Sequence, residues 1–540
     1  MTFWNILLIA SMAVSCVLSA RLLIHYFQLE SYQFQGYFRS VKRNLLRALW
    51  PGVVLNIVFI SAGAILVMII PENNTWLPDL ILSLCLLATG WMIHSSLKKA
   101  REKKPLVYTS RVKRLTAIMF VTCAILFLLF VLAAGNGNKG TISGRVFFAL
   151  VLLFPAFLPV WTAVSGLIAW PVENGIKSLY FRDARKRLQE RPDLIKIGIT
   201  GSWGKTSVKF ILGTMLQEKY NTLVTPSSYN TPMGVTKVVR SQLTPAHRIF
   251  VAEMGARHVG EIRELCNLVH PTIGILTSVG PQHLDTFRTL ERIIQTKYEI
   301  MEAIPEDGLC VFADDGDICR KLYEKTKKEK IMAGLDAACD EVWAENIKAD
   351  PAGSRFDLCF GDRRIACRTL LLGELNIKNI VLCASVCMKL GLTDDQIRRG
   401  IEKLQPVEHR LQLLDYPGRY TVIDDAFNSN IVGAEQAFRT LKDFPGRRIV
   451  ITPGMVELGS REEEMNTQFG RLMAGNCDLV ILIGKKRSEA IRKGLTEEGF
   501  DPDRILVLNS LEEAEQWIAG NASSNDVILF ENDLPDHYNE

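Results

Sequence analysis

The sequence has little excess of one charge, no short cysteine pair and no repeats. Its 63 lysine and arginine residues are nearly balanced by 58 aspartate and glutamate residues, for a formal net charge of +5. This balance excludes a dedicated nucleic-acid-binding protein. The 12 cysteines include no C-x-x-C pair, so we expect neither a zinc site nor a disulfide framework, as is typical of a reducing compartment. The lack of internal repeats and low-complexity tracts excludes a solenoid.

Long apolar runs are absent after Trp170 but frequent before it. Five runs, at residues 3–20, 49–70, 77–97, 115–134 and 146–170, are each close to the roughly 20 residues that cross a bilayer as a helix. The first run contains no lysine or arginine, so we interpret it as a retained helix rather than a cleaved signal peptide. Buried helices of a soluble protein fit less well, because charged connections separate all five runs. We predict a five-helix membrane domain over residues 1–173.

Basic residues are distributed unevenly among the connections between these runs. The first and third connections are rich in lysine and arginine, the second has neither, and the fourth has only Lys139 and Arg145. The positive-inside rule therefore predicts a multi-pass protein of the cell membrane with its N-terminus outside and its later domains in the cytoplasm, with access to ATP. Residues 174–193 are predicted to form a basic amphipathic linker on anionic lipid headgroups. The basic residues of this linker include Arg182, Arg185, Lys186, Arg187 and Arg191.

The region directly after the linker predicts a nucleotide site. A β-prone run at residues 195–200 leads into G-S-W-G-K-T-S at residues 201–207, and a helical pattern follows at residues 208–218. A strand, a glycine turn and a helix N-terminus present backbone N–H groups to phosphate oxygens, while the lysine adds charge and the threonine a hydroxyl for Mg²⁺. We therefore expect ATP to bind at Gly201, Gly204, Lys205, Thr206 and Ser207.

Polar residues follow the next two β-prone runs. The runs at residues 249–252 and 272–276 lead to Glu253 and to a segment that contains His283. In an open parallel sheet, ligands bind beyond the carboxyl ends of the strands, so both side chains are expected to face the nucleotide. A carboxylate and an imidazole there suit Mg²⁺, although either residue alone is more often a helix cap or a surface group.

Strand and helix patterns alternate throughout the rest of the chain, which predicts an α/β fold class. We expect a central P-loop domain with a mostly parallel sheet at residues 194–405. A C-terminal Rossmann-like doubly wound domain is expected at residues 406–540.

Seven motifs occur in the order seen in Mur ligases. They are G-S-W-G-K-T (201–206), E-M-G-A-R-H-V-G-E-I (253–262), H-L-D (283–285), K-Y-E-I (297–300), G-E-L-N-I-K-N (373–379), D-D-A-F-N-S-N (424–430) and G-M-V-E-L-G (454–459). The sequence resembles this family over roughly residues 195–530, and most closely its D-alanyl-D-alanine-adding branch. The resemblance implies an ATP-dependent carboxylate–amine ligase that makes an acyl phosphate and then an amide, in cell-wall or envelope polymer synthesis.

The resemblance also implies roles for residues at the phosphate end of the nucleotide. Lys205 would hold the β- and γ-phosphates, and Thr206 and Glu253 one Mg²⁺ ion. His283 would bind a second Mg²⁺ ion. Lys297 matches a lysine that family members carry as a carbamate, an acidic group that helps to hold this second ion.

Further roles are implied for the base, the ribose and the amine. Asn376 and Asn379 match the adenine-contacting asparagines of the family, and Arg410 would reach the phosphates from the last domain. Asp425 would contact the ribose or the neighbouring lysine network. In the acceptor motif, Asn428 and Asn430 would orient the incoming amine, an amino acid or a dipeptide.

The sequence departs from the family where substrates bind. The five apolar runs replace the usual UDP-sugar-binding domain, Phe427 replaces a tyrosine, and Phe530-Glu531-Asn532-Asp533 replaces a Lys-Gly-Ser ending. We therefore expect the reaction type to be retained and the substrates to differ, with a carboxylate acceptor that is lipid-linked or polymeric and with membrane lipids as neighbours. Two alternatives stay open: a polymerising ligase similar to poly-γ-glutamate synthase, and a non-catalytic ATP-binding membrane scaffold.

Overall fold

The structure of the protein is a computed structural model. It describes residues 3–30, 32–71, 76–99, 105–135, 154–226, 229–350, 353–416, 420–426, 431–456, 458 and 461–532. The chain divides into two compact units, one that runs to Ser178 and one that begins at Leu179.

The first unit is helical and strongly apolar. In the described residues, four helices are long and apolar enough to cross a membrane, or up to five if a bent pair at the N-terminus counts as one span. Residues 146–153 of the fifth predicted run lie outside the described residues. The helices of this unit are α1 (Phe3–Ser19), α2 (Arg21–Leu29), α3 (Phe34–Arg43), α4 (Leu45–Ile69), α5 (Leu77–Lys99), α6 (Ser110–Gly135) and α7 (Leu158–Gln189), the last preceded by a 3-10 turn at Phe154–Phe157.

Large apolar side chains cover much of the outer face of these helices. Leu46, Met68 and Trp91 expose 86%, 84% and 63% of their surface, which is far more than a water-soluble bundle normally leaves open in one region. Because helices satisfy their own backbone hydrogen bonds, such an apolar exterior is compatible with surrounding lipid.

Helix α7 continues through most of the predicted linker and ends at Gln189. Ala184 and Leu188, four residues apart on one face, are fully buried in a core cluster of the second unit. On the same stretch, Asp183 accepts a hydrogen bond of 2.6 Å from Arg240 Nε. The basic side chains therefore occupy the exposed face of this last part of the helix.

The central domain contains a nine-stranded sheet in the order β2-β3-β1-β4-β5-β6-β7-β8-β9. Neighbouring strands from β2 to β7 are parallel, whereas β7, β8 and β9 are antiparallel. Its elements are β1 (Ile195–Thr200), α8 (Lys205–Leu216), β2 (Thr222–Val224), α9 (Pro232–Gln242), β3 (Ile249–Glu253), α10 (Glu261–Val269), β4 (Ile273–Leu276), α11 (Leu284–Phe287), α12 (Leu290–Ala303), β5 (Leu309–Ala313), α13 (Asp317–Lys325), β6 (Glu329–Gly334), β7 (Val342–Asp350), β8 (Gly353–Phe360), β9 (Arg363–Thr369), α14 (Glu374–Lys389) and α15 (Asp394–Glu402).

The C-terminal domain contains a six-stranded sheet in the order β10-β11-β15-β12-β13-β14. Only β10 runs antiparallel to its neighbour; the other pairs are parallel. Its elements are β10 (Gln412–Tyr416), β11 (Tyr420–Asp425), α16 (Ile431–Lys442), β12 (Arg447–Thr452), α17 (Glu462–Ala474), β13 (Leu479–Ile483), α18 (Lys485–Glu497), β14 (Ile505–Leu508), α19 (Leu511–Asn521) and β15 (Asp526–Glu531). Helices pack on both faces of each sheet, so a ligand site is expected beyond the carboxyl ends of the strands.

Candidate active site

The glycine turn after β1 leads directly into the N-terminus of α8. Gly204 caps this helix with a φ of +80°, in the left-handed region that favours glycine. The oxygen Asn379 Oδ1 lies 3.3 Å from the place that a Cβ atom on Gly204 would take. The first backbone N–H groups of α8 have no partner within the helix, so the turn can accept an anion. Ser207 is partly buried in the first turn of the helix.

The segment after β4 holds the turn from the other side. The Ser202 N–H donates to Ser278 O at 2.9 Å, and the Trp203 N–H donates to Ser278 Oγ at 2.7 Å. The Thr277 hydroxyl also donates to Trp203 O. A side chain on Gly201 would collide with Thr277, so glycine is required there. These bonds fix the turn before any ligand arrives.

Lys205 folds back over the turn. Its ammonium donates to Gly201 O at 2.6 Å and to Ser202 O at 2.9 Å. The pKa of Lys205 is lowered to about 8, mainly by burial; the charge of Glu253 opposes this shift and the charge of Arg410 adds to it. The side chain is therefore a cation that a phosphate group would stabilise.

Glu253 is the most highly connected side chain of the site. It is 1% exposed, and its Oε2 lies 2.8 Å from Lys209 Nζ, which is itself fully buried. Asn230 Nδ2 donates to Oε1 at 3.1 Å. The Thr206 hydroxyl lies 3.2 and 3.1 Å from the two carboxylate oxygens. The carboxylate is therefore held in one orientation, facing the threonine at the start of α8.

Opposing effects set the charge of Glu253. Burial raises its pKa, but Lys209 lowers it through its charge and its hydrogen bond, and Lys205 and Asn230 add to the lowering. The net direction is downward, so the group stays ionised. An ionised carboxylate next to a threonine hydroxyl provides two oxygen ligands of the kind that Mg²⁺ accepts.

Lys297 lies on α12 and belongs to the same electrostatic cluster. The residue is 2% exposed. Burial lowers its pKa well below the usual range, and the charge of Lys205 lowers it further, while Glu261, Glu253 and Glu299 oppose the effect. Lys297 therefore lies within electrostatic range of Lys205 and Glu253.

His283 lies directly before α11, with a φ of +53°, and is partly buried. In the described part of the chain, no group of three or more histidine, cysteine, aspartate or glutamate residues could hold a metal ion. The second metal site predicted for His283 and Lys297 therefore stays a prediction.

The two predicted adenine-contacting residues lie on the first turns of α14. Asn379 is 6% exposed and contacts the Gly204 turn. Asn376 Nδ2 donates to Leu372 O at 2.9 Å. Both therefore lie at the end of the central domain where the glycine turn is found.

Arg410 lies in the segment that joins the two α/β domains. Burial lowers its pKa, whereas Asp425, Glu253 and Glu531 raise it. A guanidinium stays charged in proteins, so Arg410 adds a fixed positive charge close to Glu253. The joining segment thus contributes a positive charge within electrostatic range of Lys205 and Glu253.

Asp425 and Glu531 are neighbours on β11 and β15. Burial raises the pKa of Asp425 to about 6, although Arg410 and the Leu411 N–H, which donates to Asp425 Oδ1 at 3.1 Å, lower it. Glu531 is fully buried. Asn428 and Asn430, the predicted amine-binding residues, lie outside the described residues.

A cavity of about 420 Å³ lies between the outer face of α8 and the segment that leads to Arg410. Phe210, Leu404 and Val407 make its wall largely apolar, and Thr206 and Arg410 also line it. This volume falls in the range typical of small-molecule sites.

Three residues that contact Glu253 were not predicted from the sequence: Lys209, Asn230 and Thr225. The Thr225 hydroxyl accepts a hydrogen bond of 3.1 Å from the Glu253 N–H. Only Lys209 left a signal. It lies four residues after Lys205 in the predicted helix, among apolar residues, where a lysine needs a buried partner.

The strand, the glycine turn and the second α/β domain define a P-loop nucleotide-binding protein of two α/β domains. Sequence models of the Mur ligase family match both of them: the Mur ligase middle domain at residues 199–387 and the Mur ligase glutamate ligase domain at residues 409–531. The chain therefore belongs to the Mur ligase family, whose members are ATP-dependent amide ligases.

Named relatives agree with this assignment. UDP-N-acetylmuramoyl-tripeptide–D-alanyl-D-alanine ligase of Escherichia coli K12 is 28% identical over 65% of this chain and 80% of that protein. The ligase of the same name from Bacillus subtilis 168 is 25% identical over 64% of this chain and 74% of its own length.

Solved structures show the same fold. MurF from Acinetobacter baumannii is 24% identical, with a TM-score of 0.60 over 66% of this chain and 77% of that chain. MurF from Thermotoga maritima, in complex with ADP, is 24% identical, with a TM-score of 0.60 over 66% of this chain and 80% of its own.

Proposed function

We propose that this protein is a membrane-anchored Mur-type ligase that uses ATP to couple a carboxylate to an amine. The γ-phosphoryl group passes to the carboxylate, and the amine then displaces phosphate from the acyl phosphate to form an amide. The observation that carries the proposal is the convergence of Lys205, Glu253 and Arg410 at the glycine turn, two from the central domain and one from the following segment.

Positive charge and backbone donors act on the phosphates in this proposal. Lys205 would exchange its two bonds to loop carbonyls for bonds to phosphate oxygens, and the first backbone N–H groups of α8 would donate to the same phosphates. Arg410 would approach the same phosphates when the C-terminal domain closes over the site. Phosphoryl transfer depends mainly on such positioning and charge neutralisation.

Thr206 and Glu253 would hold Mg²⁺, which when bound neutralises charge on the phosphates. Their oxygens are hard ligands, and the remaining ligands of a nucleotide-bound Mg²⁺ are usually phosphate oxygens and water.

Lys297 would carry a carbamate and, with His283, support a second Mg²⁺. A carbamate forms when a neutral amine adds to CO₂ and releases one proton. Burial and the neighbouring Lys205 favour the neutral amine of Lys297, because both lower its pKa. This charge state supports the proposed modification.

The apolar cavity beside α8 suits the base or ribose of the nucleotide. Asn376 and Asn379 would contact the adenine, and Asp425 would contact the ribose or the neighbouring lysine network. On the acceptor side, the relatives are named for joining D-alanyl-D-alanine to a UDP-muramoyl tripeptide. An amino acid or dipeptide is therefore the proposed amine, oriented by Asn428 and Asn430.

The apolar helical unit supports placement at the membrane, with catalytic domains in the cytoplasm. Four described helices have the length and composition of spans, and their outer faces are apolar. The proposed carboxylate substrate is lipid-linked or part of a growing polymer.

The test is ATP turnover by the purified full chain with panels of amines and carboxylates, including D-alanyl-D-alanine and lipid-linked precursors. We expect ADP release only when both substrates are present. Lys205→Ala should lower turnover by about 10³-fold or more, since it removes a charge on the transferring phosphoryl group. Lys321→Ala, which changes an exposed lysine of α13, is the matched control. Equal turnover in the two variants would exclude this turn as the active site.

A further inference from the structure

A polar break interrupts the N-terminal apolar helix of the first unit. Helices α1 and α2 meet at Ala20 with a bend of 47°. Directly after the break, Arg21 is only 7% exposed, and His25, one turn further on, is 5% exposed. Ionisable side chains buried among membrane-type helices are costly, and they commonly mark binding sites. Broken helices in membrane proteins serve the same purpose.

Helix α5 supplies further polar groups to the break. A Cβ atom on Gly90 would come within 2.9 Å of Ser15 Cα, so α5 and α1 are in direct contact there. The His94 ring hydrogen-bonds to the backbone carbonyl of Leu18 and lies within the electrostatic range of Arg21 and Lys98. Arg21 of α2 and Lys98 of α5 therefore both lie within electrostatic range of one histidine ring.

A buried hydroxyl at this point is left without a hydrogen bond. Ser19 is fully buried, and its Oγ has no partner among the residues that the structure describes. An unpaired buried hydroxyl costs on the order of 1–3 kcal/mol. An oxygen-rich anion would accept a hydrogen bond from this hydroxyl and compensate the neighbouring positive charges.

Exposure increases from the break toward the end of α5. Ser19 is fully buried, Arg21 nearly so, His94 partly exposed and Lys98 exposed. Trp91, which is 63% exposed and stacks on His94, lies on the same face of α5 as Lys98. A tryptophan followed by a lysine near the end of a membrane-spanning helix is typical of the membrane–water interface, where the lipid headgroups lie.

We propose that Ser19, Arg21, His94 and Lys98 form a binding site for the phosphate group of an anionic membrane lipid on the cytoplasmic side. Arginine and lysine form charge-assisted hydrogen bonds with phosphate, and the serine hydroxyl donates one more. The topology derived from the basic connections places the end of α1 and the end of α5 on this side. The inference rests on the proposed membrane insertion, but not on the ligase activity.

The test measures lipid binding by the purified full chain in detergent, with fluorescent short-chain phosphatidic acid as the probe and phosphatidylcholine as the neutral comparison. We expect selective binding of phosphatidic acid. Arg21→Gln should weaken it by about tenfold or more, since a hydrogen bond to a charged group is lost. Arg39→Gln, at an exposed arginine of α3, is the matched control and should change the affinity by no more than about twofold.

A second variant covers the case in which Arg21→Gln does not fold. Ser19→Ala keeps every charge and removes only the hydroxyl, so it should fold normally and still weaken binding. Inorganic phosphate is added as a competitor to separate lipid from free anion. If inorganic phosphate displaces the probe at a phosphate concentration similar to the Kd of the probe, the site binds soluble phosphate, and the lipid assignment is overturned. Equal losses in the Arg21 and Arg39 variants, or equal binding of both lipids, would overturn the site itself.

Turnover of ATP by the same variants keeps the two proposals apart. The lipid site can fail while ADP release persists, and ADP release can fail while selective lipid binding persists.

Discussion

Replacing Lys209 with methionine should strongly destabilise the central domain. Lys209 and Glu253 are 0% and 1% exposed, and the ammonium lies 2.8 Å from the carboxylate. Methionine fills a similar volume but leaves the carboxylate buried without its cation. Loss of one partner of a buried ion pair typically costs about 3–5 kcal/mol. For a domain of this size, that cost corresponds to a decrease of roughly 10 °C in the unfolding midpoint.

The double variant Lys209→Met/Glu253→Gln tests whether the effect comes from the pair. A neutral pair leaves no buried charge uncompensated, so most of the lost stability should return, with a coupling energy of about 2 kcal/mol or more. Thermal unfolding of the full chain in detergent, followed by tryptophan fluorescence, gives the midpoints. Lys321→Met, at an exposed lysine of α13, should change stability by no more than about 0.5 kcal/mol. Additive losses in the double variant would refute the ion-pair reasoning.

Two further predictions concern the glycine turn. Because Lys205 has a pKa of about 8 without nucleotide, its positive charge is present at neutral pH and is lost as the pH rises through 8. The affinity for a fluorescent ADP analogue should therefore fall by about tenfold between roughly pH 7 and pH 9. The Lys205→Arg variant should bind the analogue with little pH dependence. A flat profile for the wild type would contradict the role of Lys205 in phosphate binding. Gly204→Ala and Gly260→Ala both force alanine into a positive φ, of 80° and 89°, but only the first places a Cβ near Asn379. Each should lose about 1 kcal/mol of stability, and only Gly204→Ala should also lose nucleotide affinity; equal affinity losses would show that the contact with Asn379 is irrelevant.

Local patterns predicted the elements around the phosphate turn with good accuracy. The first strand was expected at residues 195–200 and is observed as Ile195–Thr200, and the strand before Glu253 was expected at residues 249–252 and is observed as Ile249–Glu253. These short runs are buried on both faces, so their composition alone separates them from their surroundings. The antiparallel strands β8 and β9 were not predicted. Buried and exposed side chains alternate along much of each strand, and the pairing depends on the neighbouring strands.

The helical unit shows a similar division. Apolar length predicted the long helices, and four described ones meet the requirements of a span. The continuation of α7 to Gln189 was not predicted, because charged residues there suggested a linker. Burial of Ala184 and Leu188 against the α/β unit stabilises that last part of the helix, and such packing is absent from a local pattern.

The sequence by itself determined the two α/β patterns, the glycine turn and the strand-end position of Glu253, because each depends on residues that are close together in the chain. Only the tertiary structure decided which charges meet. The register of β1 with β3 places Glu253 beside α8, where Lys209 neutralises it, and the return of the chain after α15 brings Arg410 to the same carboxylate. A periodic pattern in the sequence indicates which residues are buried. Coulomb interactions act through space, so the partners of a charged side chain are known only when the sheet order is known.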